Sequence, residues 1–141
     1  MISIAIVDSG ALIAVANSAD PAHRACLDTL SRPDLRLVIP ALCVAEAAFA
    51  LHHHQGPHIE ARFLRLLEGF DVQAPNAFDW PRIADLVQQY ADFPLGSTDA
   101  SIVALAERLG TDLLITLDRR HFASIRPRHS SHFRILPELA N

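Results

Sequence analysis

Four acids occupy positions where an ordinary surface carboxylate is hard to account for. Asp8 closes the apolar run Ile4-Ala5-Ile6-Val7, and Asp118 closes Leu113-Leu114-Ile115-Thr116-Leu117. Glu46 is the one charged residue in the apolar window from Pro40 to Leu51, and Asp99 follows Gly96-Ser97-Thr98 at the start of a helix-compatible segment. A carboxylate at the end of a buried strand, or within an apolar helix face, costs on the order of several kcal/mol unless a cation pairs with it. The chain contains no lysine. A shared divalent cation is the simplest counter-ion, and carboxylate-rich, oxygen-only donor sets suit Mg2+ or Mn2+ better than softer metals. Such an ion activates water, aims it at phosphorus and stabilises the leaving oxygen, which points to metal-assisted phosphodiester chemistry. Ser9 and Thr116 are placed to hydrogen-bond the ligands.

Each acid also has a simpler reading. Asp8 can cap the helix that follows it, and Asp99 can be a first-turn acid favoured by the helix dipole, with Ser97 or Thr98 as the cap. Asp118 can be a turn residue, and Glu46 can be solvated, although its neighbours leave little polar face. These readings are independent of one another, whereas one metal site explains all four. His52-His53-His54 does not offer a rival metal site, because consecutive helical residues point about 100° apart; a surface helix end is expected there.

The elements that must position these residues are legible as alternating strands and helices. Residues 3–8 read as a strand buried on both faces, 36–39 as a short strand stopped by Pro40, 70–72 as a brief one, and 113–117 and 133–136 as two more. Helices are expected over about 10–17, 20–30, 41–53, 58–69, 79–91 and 97–109, with breaks at Gln55-Gly56-Pro57 and Gly69. Strands of three to six residues alternating with helices predict a three-layer α/β/α sandwich with a short-stranded, mainly parallel central sheet. Right-handed crossovers then bring every strand's C-terminal end, and with it Asp8 and Asp118, to one sheet edge, at the switch in strand order.

Composition sets outer limits. At 15.5 kDa, 50% hydrophobic and 20% charged, the chain is expected to form one domain over 1–141 and not a disordered tail. No apolar run approaches the roughly 18 residues that span a bilayer, and Met1-Ile2-Ser3-Ile4 lacks the basic region of a signal peptide. Cys26 and Cys43 have no metal-type spacing and read as buried thiols of a reducing compartment, so a cytoplasmic protein without membrane contact is expected. Net charge is −4, yet residues 119 to 137 hold five arginines (119, 120, 126, 128, 134), three histidines and no acid. Arg119, Arg120, Arg126 and Arg128 are candidate phosphate-binding residues beside the acidic site. The helices over 21–31 and 42–69 carry Leu27, Leu30, Phe49, Leu51, Phe63 and Leu67, a surplus of apolar side chains that suggests a groove for a partner segment.

The segments Ile6-Val7-Asp8-Ser9-Gly10-Ala11-Leu12, Ile39-Pro40 with Val44-Ala45-Glu46, Leu95-Gly96-Ser97-Thr98-Asp99-Ala100-Ser101-Ile102-Val103-Ala104-Leu105-Ala106 and Ile115-Thr116-Leu117-Asp118-Arg119-Arg120-His121-Phe122 occur in this order over nearly the whole chain. In this the sequence resembles PIN-domain proteins, most closely VapC-type ribonuclease toxins of toxin–antitoxin pairs. The resemblance implies that Asp8, Glu46, Asp99 and Asp118 bind Mg2+ or Mn2+ and carry the catalysis. It implies further that RNA is cut by metal-activated water to leave a 3′-hydroxyl and a 5′-phosphate. A homodimer and a small antitoxin partner are also implied. The alternatives are a catalytically silent PIN-fold protein serving RNA binding or scaffolding, and a DNA-directed metal nuclease. Phosphatase and receiver modules that also place acids at strand ends need a lysine that this chain lacks.

Overall fold

The computed structural model describes residues 1–138; the last three residues of the expected domain, 139–141, lie outside it. In chain order the elements are β1 (Ser3–Val7), α1 (Ser9–Ala16), α2 (His23–Leu30), β2 (Leu35–Pro40), α3 (Ala41–Gln55) and α4 (Pro57–Leu66). A 3-10 turn (Leu67–Gly69), β3 (Asp71–Gln73), α5 (Asp79–Gln89), α6 (Ser97–Leu109), β4 (Leu113–Ile115), α7 (Arg119–Ala123) and β5 (Arg134–Leu136) follow.

The five strands form one sheet in the order β3-β2-β1-β4-β5, and every pairing is parallel, with Ile6 opposite Val38 on one side and Leu114 on the other. Helices cover it to give the α/β sandwich, with α1 packed on α2 and α3, α3 on α4, and α5 on α6. This explains the lack of alternation in β1. A central strand covered on both faces needs apolar side chains on both, and Ala5, Ile6 and Val7 are all fully buried. The helix α6 is a core element too, with Ala100 through Ala106 all buried.

Local chemistry adjusts the expected bounds. The Asp20 carboxylate accepts a hydrogen bond from Ala22 N (2.8 Å), which holds residues 20–22 as a turn and delays α2 to His23. At the end of α3, Gly56 takes φ +89°, a left-handed value that side-chain-bearing residues avoid, and Pro57 opens α4 immediately after it. The strand β3 is displaced by one residue from the expected 70–72, and β4 stops at Ile115, two residues short of the expected end. The run after Asp118, expected to be loop, folds as the short helix α7.

Two ion pairs join α5 to α6. Arg82 grips Glu107 with two parallel bonds (2.8 and 2.9 Å), and Arg108 Nε lies 3.0 Å from Asp79 Oδ2. Glu107 Oε2 also accepts from Arg128 N (2.7 Å), so one half-buried carboxylate ties the C-terminal loop to both helices. Glu107→Ala removes all three bonds and leaves a mostly buried guanidinium unmatched. It is expected to cost about 2–3 kcal/mol in urea unfolding, and a loss below about 0.5 kcal/mol would place this pair with ordinary surface bridges.

Candidate active site

β1 lies where the sheet order reverses: the chain builds outward through β2 and β3 on one side, then returns through β4 and β5 on the other. In a parallel sheet the crevice beyond the strand ends opens at such a point. Asp8 follows β1, Asp118 follows β4, Glu46 comes from the second turn of α3 and Asp99 from the first turn of α6. Together with Ser9, Gly10 and Leu117, these four acids line one open cleft of about 410 Å³.

Ser9 and Thr116 hold the acids in place. Asp8 Oδ1 accepts from Ser9 N (2.7 Å), and Asp8 Oδ2 from the fully buried Thr116 hydroxyl (2.6 Å). Thr116 Oγ1 in turn accepts from Asp118 N (3.0 Å), so one hydroxyl fixes both a carboxylate on β1 and the turn after β4. Ser9 Oγ is 2.9 Å from Glu46 Oε1 and 3.3 Å from Asp8 Oδ1, and its single proton favours the closer Glu46. Asp118 Oδ1 accepts from His121 N (3.3 Å) and caps α7, as Asp8 caps α1. Capping and clustering are therefore compatible in both residues. The cap of α6 differs from expectation. Gly96 occupies it with no side-chain bond, so neither Ser97 nor Thr98 caps the helix that carries Asp99.

Burial dominates the electrostatics. It pushes the Asp8 carboxyl above its ordinary value, against the Thr116 and Ser9 hydrogen bonds and with help from Glu46. Asp99 is pushed up to about 6, first by burial and then by the charge of Asp8, with His121 acting in the opposite sense. The buried thiol of Cys43 is raised in the same way, by burial and by the same acids. As the side chains stand, no three His, Cys, Asp or Glu groups among the described residues close around a single point. Each acid instead leans on a neighbour within the protein.

The candidate arginines lie outside the cleft lining. Arg119 directs its guanidinium at the carbonyls of Ile135 and Pro137, clipping α7 to the end of β5. Arg120, Arg126 and Arg128 are exposed. Arg128 sits beside Glu107, eight residues along α6 from Asp99, or roughly 12 Å along the helix axis. The three consecutive histidines diverge: His52 Nδ1 meets Glu60 (2.9 Å), His53 stacks on Phe49, and His54 turns its edge to His53.

Two features of the cleft had no counterpart in the sequence reading. Leu117 was expected in a buried strand but is 43% exposed at the cleft wall. His121 Nε2 lies 3.3 Å from Asp99 Oδ2, yet without hydrogen-bond geometry, and is a fully buried nitrogen left without a hydrogen-bond partner. The stretch Asp118-Arg119-Arg120-His121-Phe122 contains the signal, a histidine three residues beyond a strand-end acid, but its partner Asp99 is remote in sequence.

A second concavity, almost wholly apolar and about 160 Å³, lies between α1, β1, β2 and α4, lined by Leu12, Leu30, Leu37, Phe63, Leu66 and Leu67 among others. Of the residues expected at a partner groove, Leu30, Phe63 and Leu67 belong to it. Leu51 is in the core instead, and Phe49 points outward, stacked on His53.

Residues 5–126 match the PIN domain model. The chain is 34% identical over 134 residues to Ribonuclease VapC26 of Mycobacterium tuberculosis, covering 94% of this chain and 99% of that protein. In fold it is similar to M. tuberculosis VapC20, described as a sarcin-ricin loop cleaving toxin, with a TM-score of 0.70 at 17% identity over 78% of this chain and 86% of that one. It is also similar to a chain of a toxin–antitoxin complex from Klebsiella pneumoniae, with a TM-score of 0.66 at 26% identity over 86% and 92% of the two chains. No helix among the described residues is long and apolar enough to cross a membrane. The chain belongs to the PIN domain family, within its VapC group.

Proposed function

We propose that this protein is a Mg2+- or Mn2+-dependent endoribonuclease and the toxin of a toxin–antitoxin pair. The observation that carries this reading is the meeting of Asp8, Glu46, Asp99 and Asp118, from four separate elements, in one cleft. The VapC26 relative, itself a ribonuclease, supports RNA as the substrate. By type the donor set fits a hard divalent ion, since the cleft acids offer only carboxylate oxygens and the Asp8 and Asp99 charges are disfavoured by burial. When bound, such an ion supplies positive charge to a phosphate and acidifies water.

The chain's own groups then take distinct roles. Asp8 is the ligand held most firmly, by burial and by the Ser9 and Thr116 donors, and Asp99 and Asp118 join it from α6 and from the β4 turn. Glu46, presented by the Ser9 hydroxyl, binds the ion or orients the attacking water. Ser9 and Thr116 keep the Asp8 carboxylate aimed into the cleft. Of the basic residues, exposed Arg120, Arg126 and Arg128 are free to meet phosphates along the RNA, whereas Arg119 serves the fold. The apolar groove with Leu66 at its lip receives an apolar antitoxin segment, and the exposed Trp80 and Val87 on one face of α5 offer a surface to a second copy of the chain.

Three outcomes are expected. RNA cleavage with Mn2+ should fall at least about 100-fold in Asp8→Asn and in Asp99→Asn, measured on a labelled single-stranded substrate; full activity in both variants ends the nuclease reading. The second concerns stability. Because Asp99 titrates near 6 when folded and at 3.8 ordinarily, the folded form binds its proton more tightly, and stability falls as pH rises through that window. Without added metal, Asp99→Asn should therefore melt higher than wild type at pH 7.5, by about 1 kcal/mol or roughly 4 °C after allowing for solvent screening. That advantage should shrink as pH falls through the window and vanish only below the ordinary value of 3.8; an offset unchanged across that range would show that Asp99 carries no such strain. In the third, light scattering should find two copies per particle. Leu66→Arg should abolish capture of the product of a short adjacent reading frame without changing that mass; unchanged capture would move the partner elsewhere.

A further inference from the structure

His121 touches two of the four acids by different means. Its backbone N–H donates to Asp118 Oδ1 at 3.3 Å, and its ring nitrogen Nε2 stands 3.3 Å from Asp99 Oδ2. Asp8 and Glu46 are served by hydroxyls from Ser9 and Thr116. No hydroxyl plays that part for Asp99, and His121 is the side chain beside its carboxylate.

The imidazole is itself held. Phe93, from the loop between α5 and α6, stacks on one face with ring centres 4.7 Å apart and an interplanar angle of 27°. Phe122 meets the ring edge-on at 5.8 Å, is fully buried, and packs edge-on against Phe133. Nε2 is buried, lies outside the cleft lining, and has no other polar partner. A ring packed on two sides thus keeps a buried nitrogen 3.3 Å from one Asp99 carboxylate oxygen, close enough for a small turn of either side chain to make a hydrogen bond. Asp99 itself lines the cleft, so what holds one of its oxygens bears on how it meets a cation there.

We infer that His121 is a positioning residue that, through its ring and its backbone N–H, aligns Asp99 with Asp118 for cation binding. This rests on the metal-nuclease reading above and adds a residue to it. The alternative is that the ring only fills space between Phe93 and Phe122. The two differ in what the nitrogen does, so the variants separate ring from nitrogen. His121→Phe keeps an aromatic ring between its neighbours and removes Nε2. His121→Gln removes the ring and keeps an amide N–H at a similar reach.

The experiment is Mn2+ titration of the full chain by calorimetry, with thermal melting alongside and cleavage kinetics as a further readout. His121→Phe should fold with a melting temperature near that of wild type and bind Mn2+ about tenfold more weakly, with kcat reduced and KM for RNA little changed. His121→Gln should recover most of the Mn2+ affinity even if it melts lower. Wild-type affinity in His121→Phe overturns the inference, as does a tenfold loss in a folded His121→Gln. Should His121→Phe fail to fold, His121→Gln decides alone: affinity near wild type upholds the inference. Asp8→Asn is the control for the underlying reading. Mn2+ binding lost there but intact in His121→Phe overturns the role of His121 alone, whereas a wild-type chain that binds no Mn2+ overturns both.

Discussion

Gathering four carboxylates in one cleft beyond the ends of a buried sheet is unfavourable through mutual repulsion and, for Asp8 and Asp99, through lost hydration as well, whereas Glu46 and Asp118 stay exposed. Much of the molecule around the cleft bears on those costs. Asp8 retains two donors despite deep burial, and Thr116, with no exposed surface, has its hydroxyl between Asp8 and the Asp118 backbone. Glu46 rests on Ser9, and Asp118 on the first turn of α7. Asp99 is the least relieved. Its raised pKa records burial first and the charge of Asp8 second, with His121 as the opposing influence. Raised carboxylate pKa values of this kind recur at sites that bind a cation or stabilise a developing charge.

The sheet accounts for why these residues meet. With β1 in the middle and every strand parallel, Asp8 and the turn after β4 are adjacent although 110 residues separate Asp8 from Asp118. The backbone continues the pairing just past the strands, with Asp8 N donating to Ile115 O and Thr116 N to Leu136 O, both at 2.9 Å. Asp8 is thus fixed at both backbone and side chain. At the other end of α6, the grip of Arg82 and Arg128 on Glu107 fixes the helix that carries Asp99.

The legible parts of the sequence are those where local pattern and burial coincide. Asp8 and Glu46 stand out because apolar neighbours on both sides force them to be explained, and α6 is plain because thirteen residues carry one continuous buried run. The parallel sheet follows from strands too uniformly apolar to have a wet face. What escaped detection depends on distant partners or on very short elements. Five residues of α7, three of them arginine or histidine, have no helical apolar period, and the Asp118 side chain that starts them also reads as a turn signal. Leu117 extends an apolar run in sequence, but β4 ends once its pairing with β1 and β5 runs out at Ile115. Arg119, read as a phosphate contact, also donates to the Pro137 carbonyl and so ties α7 to the end of β5. Nothing near Arg119 in sequence signals that carbonyl.

The order of the strands also has a consequence in time. Among the described elements β1 is made before all others, yet one of its two neighbours, β4, follows about 105 residues later. Asp8 consequently waits for Thr116 until translation is almost finished, and Asp99 waits for His121. A product that stops before β4 holds Asp8, Glu46 and Asp99 but lacks Thr116 and Asp118.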